Sequence, residues 1–170
     1  MKNQFKSLLL LFAIIATLGS VQAQVYMVSM DHEKEEKLLM DFFKAIEAGD
    51  FTTLGNLLHK DYEGYGPGNS EMADHATFIE NWKNNHNIAN DIKITEIVNA
   101  ALEVKDGDLK GTWVCSWANY SAVQKSDGQK VSFPFQLTSQ TRDGKIIGSR
   151  LYFNELELMT QLGFKLSPGN

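Results

Sequence analysis

The sequence has little cysteine, little proline and no excess of positive charge. Its single cysteine excludes a disulfide framework within the chain and any metal site built from several cysteines. Three prolines in 170 residues exclude a proline-rich or collagen-like chain. The formal net charge is -5, so no nucleic-acid partner is expected, because phosphate recognition needs a basic surface. The chain is short enough for one globular domain.

The only long apolar run lies at the N-terminus. It covers residues 8–18, follows Lys2 and Lys6, and is followed by small residues at Val21 and Ala23. These features predict a secretory signal peptide over 1–23, cleaved after Ala23. The alternative is a membrane anchor, but the run is too short to span ~30 Å of hydrocarbon. We therefore expect an exported protein, periplasmic or extracellular, with no membrane partner in its mature form.

The rest of the chain is predicted to be one domain over 31–165, with a flexible arm over 24–30 and a C-terminal tail over 166–170. Apolar residues recur at helical spacing over 31–48, after Asp50 and after Asp74, which predicts three helices. A short strand is predicted between the second and third helices.

After Asn90 the spacing of apolar residues changes to two, which predicts four long strands. Asp-Gly pairs at 106–107, 127–128 and 143–144 are typical of the turns between antiparallel strands. A break in the alternation near Ile97 and Val98 predicts a β-bulge.

This order of elements predicts an α+β fold in which three N-terminal helices pack on the concave face of a cone-like, curved antiparallel sheet. The helices can cover only one face of such a sheet. The other face would then need a partner, so a homodimer through the sheet face is expected.

Several short motifs carry a family resemblance: 48–51, 57–62, Tyr65-Gly66-Pro67-Gly68, 143–146 and 161–163. Their order and spacing resemble the nuclear transport factor 2-like superfamily, and within it the SnoaL-like branch, which includes polyketide cyclases and relatives of ketosteroid isomerase. The resemblance implies a cone with an apolar pocket between helices and sheet, usually in a dimer. Enzymatic members use a carboxylate or a histidine in that pocket to move protons on a carbonyl compound.

The chain departs from the pattern of those enzymes at two places. Gly66 occupies the position just before the proline, where isomerase-like members have a base. Arg150, Leu151 and Asn154 occupy the closing strand, where SnoaL-like members often have tryptophan and aspartate. The usual proton-transfer groups are therefore replaced, and whether the chain is an enzyme stays open.

Aromatic residues are concentrated in the elements expected to face the cone, which predicts a pocket for a small apolar or aromatic molecule. Any one of them alone is more typical of an ordinary core, and only the set as a whole indicates a pocket. Arg150 would bind a ligand carboxylate if its strand turns that side inward; with the opposite orientation, Leu151 and Phe153 face inward instead. The predicted ligand-binding residues are Tyr62, Tyr65, Trp82, Trp113, Trp117, Phe133, Arg150, Tyr152 and Asn154.

Asp61 and His86 are the candidate catalytic residues, as possible bases beside the pocket. A solvated strand-end carboxylate and a helix-end histidine are the alternative interpretations. Cys115, between two tryptophans, is predicted to be a buried thiol. No spacing of histidines indicates a metal site, and no cofactor motif is present. Three hypotheses follow: a binding protein, a lyase-, isomerase- or cyclase-like enzyme, and a structural dimerisation or partner-docking module.

Overall fold

The computed structural model describes residues 26–28, 32–68, 71–165 and 167. The predicted signal peptide over 1–23 and the predicted tail, apart from Ser167, lie outside the described residues. The elements are β1 Tyr26–Val28, α1 Glu33–Ala48, α2 Phe51–Leu57, β2 Leu58–Tyr65, β3 Met72–Asp74, α3 His75–Ile88, β4 Ala89–Val104, β5 Gly111–Gln124, β6 Lys130–Arg142, β7 Lys145–Phe153 and α4 Glu155–Gln161. The predicted order of helices and long strands is confirmed.

Local backbone and side-chain contacts mark the end of α1 and the starts of α2 and α3. Helix α1 ends at Gly49, whose φ of 66° lies in the left-handed region typical of a helix C-terminus. The Asp50 carboxylate accepts the Thr53 N–H at 2.9 Å at the start of α2, and Asp74 accepts the Thr77 N–H at 2.8 Å at the start of α3. The described part of the chain has no helix that is long and apolar enough to cross a membrane.

The strands form one sheet in the order β1-β4-β5-β6-β7-β2-β3. All neighbours are antiparallel except β2 and β7, so the sheet is mixed rather than wholly antiparallel. The β4–β5 register shifts between Thr95 and Val98, which confirms the predicted bulge, and shifts again between Asn90 and Lys93. Each bulge bends the strand and turns the next side chains to the other face.

Helices α1, α2 and α3 pack on one face of the sheet, which we call the inward face. The predicted cone-like α+β fold is thereby confirmed. Alternate residues of β5 and β6 are buried under the helices. These inward residues are Val114, Ser116, Ala118, Tyr120 and Ala122 of β5, and Val131, Phe133, Phe135, Leu137 and Ser139 of β6. The opposite face is the outer face.

Within the segment predicted as a flexible arm over 24–30, Tyr26–Val28 pairs with Leu102–Val104 of β4. The physical reason is the length of β4. Its 16 residues give it a long edge, whose backbone N–H and C=O groups pair readily with a further strand.

Helix α4 packs against the end of β6, and Gln161 bonds to the backbone there. The Gln161 amide exchanges two hydrogen bonds of 2.8 Å with the backbone N–H and C=O of Ser132. Pairing between β6 and β7 ends at Phe135 and Phe153, so the glutamine supplies the partner that the last strand no longer provides. Asn154 begins this helix by accepting the Glu157 N–H at 3.2 Å.

Gly66 lies where no side chain fits. Its φ is +114°, and a Cβ built on it would lie 2.2 Å from the backbone oxygen of Leu151. The cause is the close approach of β2 to β7, where Tyr65 and Arg150 are register partners. A base at this position is therefore excluded by the path of the backbone.

Gly66→Ala is expected to lower the free energy of unfolding by about 3 kcal/mol, because it adds backbone strain to a steric clash. Gly68→Ala is the matched control: its Cβ would make ordinary contacts, the nearest at 3.5 Å to Glu71. That change is expected to alter stability by at most about 0.5 kcal/mol. Urea denaturation of both variants is the measurement, and equal stabilities would contradict the prediction.

Candidate functional site

Aromatic rings form a continuous cluster between the helices and the sheet. Phe78 of α3 lies at its centre, with its ring centroid 5.0 Å from that of Tyr62 and 6.4 Å from that of Trp82. On the sheet, Phe133 continues the cluster, with its centroid 5.1 Å from Tyr120 and 4.7 Å from Phe153. This aromatic cluster consists of Phe42, Tyr62, Phe78, Trp82, Tyr120, Phe133 and Phe153.

One side of the aromatic cluster reaches the surface. Phe78, Trp82 and Phe153 are only half-buried, whereas Tyr62 is 1% exposed. Helix α3 contacts β2, β3 and β4, while α4 contacts β6. The half-buried rings lie on α3 and at the end of β7, so the cluster has an apolar rim at the surface.

Two histidines hold α3 in place over the sheet. His75 Nε2 donates to the backbone oxygen of Gly55 at 3.0 Å, and His86 Nε2 donates to that of Ile46 at 2.7 Å. The His86 ring also packs edge-on against Phe51 at 5.4 Å. The predicted catalytic His86 thus joins the ends of α3 and α1, and the ring nitrogen that makes this bond faces a carbonyl, not the aromatic cluster.

Asp61, the other catalytic candidate, lies at the surface. Its side chain is 65% exposed, and its carboxylate lies 3.6 Å from His59 Nδ1. Residues alternate along β2, so the burial of Tyr62 turns Asp61 away from the helices. The structure therefore brings neither candidate base to the aromatic cluster.

Trp113 and Trp117 lie on the outer face, which corrects their expected place in the walls of the cone. Cys115 lies there too and is only half-buried, with its Sγ 4.0 Å from Thr138 Oγ1. The inward positions between them are Val114 and Ser116, both smaller than tryptophan. Helix α1 crosses this part of the sheet and carries large side chains inward, so the strand beneath it has room only for small ones.

Arg150 and Tyr152 also lie on the outer face, which corrects their predicted orientation. The β6–β7 register pairs Leu137 with Leu151 and Phe135 with Phe153, so these residues face inward. An extra residue in β7, between the pairs Thr141–Ile146 and Gln140–Gly148, reverses the orientation of the rest of the strand.

On the outer face, the Arg150 guanidinium carbon lies 5.0 Å from the centroid of the Tyr65 ring. The Tyr65 hydroxyl donates to Glu63 at 2.7 Å, and this bond raises the pKa of Tyr65. Tyr65 is therefore part of a surface contact between β2 and β7, and Asn154 caps α4. Of the predicted ligand-binding residues, the structure brings together Tyr62, Trp82 and Phe133.

A row of small polar residues crosses the inward face beside the aromatic cluster, and nothing in the sequence beyond alternation indicates it. Asn99 of β4 pairs with Ser116 of β5, and Ser139 of β6 pairs with Ser149 of β7. Ser116 and Ser139 lie on adjacent strands, two register positions apart, so they are diagonal neighbours on the inward face. We call Asn99, Ser116, Ser139 and Ser149 the serine row.

Only one end of the serine row has a hydrogen-bond partner. The hydroxyls of Ser149 and Tyr62 lie 2.5 Å apart. Ser116 and Ser139 are fully buried, and their Oγ atoms have no partner among the described residues; neither does Asn99 Oδ1. Buried groups of this kind are costly and uncommon in folded proteins.

The buried polar groups on the inward face are neutral. Burial raises the pKa of Tyr62 to about 12, so its phenol keeps its proton at neutral pH. Burial also raises the pKa of Tyr120, whose hydroxyl donates to Asn85 at 3.1 Å. In the described part of the chain, the buried polar residues besides tyrosine are three serines, Ser116, Ser139 and Ser149.

His32, at the start of α1, is a further unpartnered group. Its Nε2 is buried without a hydrogen bond, while its Nδ1 lies 3.5 Å from the Glu35 carboxylate. Among the residues the structure describes, no group of three or more histidine, cysteine or acidic side chains is placed to hold a metal ion.

Two surface depressions lie away from the aromatic cluster. One of about 360 Å³ is lined by Lys60, Asp74, His75 and Ala76. The other, of about 310 Å³, lies at the junction of α1, α3 and β4 and is lined partly by Glu47, His86, Lys93 and Lys125. Both contain charged side chains of opposite sign, which does not suit an apolar ligand.

Solved structures share this architecture. A protein named as a candidate polyketide cyclase from Xanthomonas campestris pv. campestris is 20% identical, with a TM-score of 0.63 over 76% of this chain and 96% of its own. A protein of ketosteroid isomerase-like fold from Catenulispora acidiphila, solved with trimethylamine, is 14% identical, with a TM-score of 0.60 over 78% and 98%. An epoxide hydrolase of the LEH-like type from M. tuberculosis is 18% identical, with a TM-score of 0.57 over 76% and 89%.

The chain has the ketosteroid isomerase-like fold. The resemblance drawn from the motifs is confirmed at the level of the fold. No family model matches the sequence, and no curated protein matches it. At these identities the likeness shows architecture alone, so function has to be argued from the residues of the inward face.

Ser139→Ala and Ser149→Ala are expected to change stability in opposite directions, although the two serines are register partners. Ser139→Ala removes a buried hydroxyl without a partner, so it should raise the free energy of unfolding by about 1 kcal/mol. Ser149→Ala leaves the Tyr62 hydroxyl without its bond, so it should lower that free energy by about 1–3 kcal/mol. Urea denaturation of ligand-free protein tests this, and shifts of the same sign would contradict it.

Proposed function

We propose that this protein binds a small, flat, apolar or aromatic molecule against the aromatic cluster, between the helices and the sheet. The observation that carries the proposal is the continuity of the cluster from buried Tyr62 to the half-buried rings of Phe78, Trp82 and Phe153. Stacked and edge-on contacts with such rings favour a flat ligand. If the predicted signal peptide is cleaved, the ligand would be met outside the cytoplasm.

Proton-transfer catalysis is less well supported. A lyase-, isomerase- or cyclase-like reaction needs a base within reach of the substrate. The Asp61 carboxylate is turned to solvent, His86 Nε2 is bonded to Ile46, and Gly66 admits no side chain. The buried groups that remain are hydroxyls, which suit binding better than proton abstraction.

Naphthalene, a flat hydrocarbon, is the probe for this proposal, with binding measured by equilibrium dialysis. Trp82→Leu is expected to weaken binding about tenfold, because it removes a ring at the rim of the cluster. Trp113→Leu is the matched control, since this ring lies on the outer face. It is expected to leave binding unchanged.

Circular dichroism and urea denaturation would first establish that both tryptophan variants are folded. The proposal fails if the unsubstituted protein binds no naphthalene up to its solubility limit. It also fails if Trp113→Leu weakens binding as much as Trp82→Leu does.

A second candidate function, self-association, is favoured by the outer face. Val98 pairs with Trp117, Trp117 with Gln136, and Gln136 with Tyr152, so these four residues form a row across four strands. Val98 is 61% exposed, and Trp117 and Tyr152 are each 49% exposed. The row carries no charge, so a second copy can lie against it without like-charge repulsion. We propose a homodimer through this row.

Trp117→Arg is expected to convert the dimer to monomer, because it would bury a charge on each side of the interface. Leu109→Arg is the control, since Leu109 is also exposed, at 52%, but lies in the β4–β5 connection. Sedimentation velocity reports the oligomeric state. An unsubstituted protein that is monomeric at all accessible concentrations would overturn this candidate.

A further inference from the structure

The depression at the junction of α1, α3 and β4 is not used by either proposed function. It has a volume of about 310 Å³, and none of its lining residues belongs to the aromatic cluster. Its ionisable lining residues are Glu47, His86, Asp91, Lys93 and Lys125. We call it the junction depression. Its size and polar lining raise the question of what kind of molecule would fit it.

Two acids and two lysines line the junction depression without pairing with each other. The ion pairs in the described part of the chain involve other residues. Glu47 Oε1 accepts the Ile94 N–H at 2.6 Å, and Lys125 Nζ donates to the backbone oxygen of His86 at 2.7 Å. A carboxylate has a second oxygen and an ammonium has three donors, so both groups can bond further.

The backbone around the junction depression is fixed by packing and hydrogen bonds. Ala89 and Ile92 are buried beneath it, and the Lys125 N–H bonds the Ile88 oxygen at 2.9 Å. The first bulge of β4 lies here and gives Asp91 a φ of 52°, in the left-handed region. Aspartate enters that region more readily than most residues. The charged side chains therefore start from defined backbone positions, which lowers the cost of ordering them around a ligand.

Two helices end at the junction depression. Glu47 and Ala48, the last two residues of α1, line it, and so does Ala89, which follows the last residue of α3. The C-terminal end of a helix carries a partial negative charge. These ends and the Glu47 carboxylate favour a positive group on the ligand, whereas Lys93 and Lys125 favour a negative group.

A ligand with a single charge suits this lining poorly. The lysines oppose a simple cation, and the acids and helix ends oppose a simple anion. A molecule that carries an ammonium and a carboxylate gives each set of side chains an opposite charge. Because the lining is mainly polar, the rest of the molecule is expected to be small and polar as well.

We propose that the junction depression is a second binding site, for a small polar zwitterion of the amino-acid type. The ammonium lies between the Glu47 and Asp91 carboxylates, and the carboxylate meets Lys93 and Lys125. This site is separate from the aromatic cluster, so the proposal does not rest on binding of an apolar molecule there.

Three probes of nearly equal size test the proposal: L-serine, glycerate and L-serinamide. Glycerate has a hydroxyl in place of the ammonium, and serinamide has an amide in place of the carboxylate. The unsubstituted protein is expected to bind serine about fivefold more tightly than either, because exposed ion pairs contribute modestly. Titrations followed by NMR give the dissociation constants, and backbone amide shifts over 90–93 report the place of binding.

Two variants separate the two charges of the ligand. Asp91→Asn is expected to reduce the preference for serine over glycerate at least twofold and to leave the preference over serinamide unchanged. Lys93→Gln is expected to do the reverse. Asp108→Asn and Lys105→Gln are the matched controls, since they change the net charge equally at exposed positions in the β4–β5 connection. Both controls should keep both preferences.

Several results would overturn the proposal. One is a protein that binds no serine, or that binds it with amide shifts only outside the junction depression. Tightest binding of glycerate would indicate a site for anions, and tightest binding of serinamide a site for cations. Equal effects of the control variants would show that net charge, and not the position of Asp91 and Lys93, governs binding.

Discussion

One extra residue in β7 determines which side chains of that strand face the interior. The turn at Asp143 and Gly144 begins the β6–β7 hairpin with Arg142 opposite Lys145 and Thr141 opposite Ile146. Continued without interruption, that register would place Arg150 opposite Leu137 and turn its guanidinium inward. The bulge after Ile146 shifts the pairing by one residue, and a shift of one exchanges the two faces of a strand. Ser149 therefore meets Tyr62 in the interior, and Arg150 meets Tyr65 on the outer face.

Helix α3 is held over the sheet by hydrogen bonds to backbone oxygens as well as by packing. His75 and His86 lie at opposite ends of α3 and each donates to a main-chain oxygen of another helix. Each bond brings an N–H donor to a carbonyl near a helix end, and the Ile46 oxygen also accepts from the Gly49 N–H at 3.1 Å. With both ends fixed, Phe78 and Trp82 are presented to the sheet in a defined position. The histidines thus contribute to the site through the placement of α3.

The fold was predictable because its signals are local. Asp50 and Asp74 cap helices through bonds to residues three positions later, and Asp143-Gly144 forms a two-residue turn with both φ values positive, at 53° and 72°. The change in apolar spacing after Asn90 likewise requires no knowledge of distant contacts.

The site was harder to predict, because alternation separates two faces of a strand without saying which lies under the helices. On β5 the larger residues, Trp113 and Trp117, face outward, while Ser116 and Ala118 face α1. The side chains of α1 occupy the space above the strand, so size alone is misleading there. Bulges add to the difficulty, since each reverses the alternation beyond it. The serine row depends on pairings between four strands and is invisible in any one of them.

The same geometry explains why the interior is polar without being ionisable. Close approach of β2 to β7 leaves no room for a side chain at Gly66, and the bulge in β7 removes Arg150 from the interior. What remains beside the aromatic cluster is a set of hydroxyls and one amide, with the Tyr62 phenol kept neutral by burial. Neutral hydroxyls and an amide do not serve as a base for proton transfer at neutral pH. The strand geometry that excludes a base at Gly66 and turns Arg150 outward therefore leaves an interior whose polar groups are uncharged.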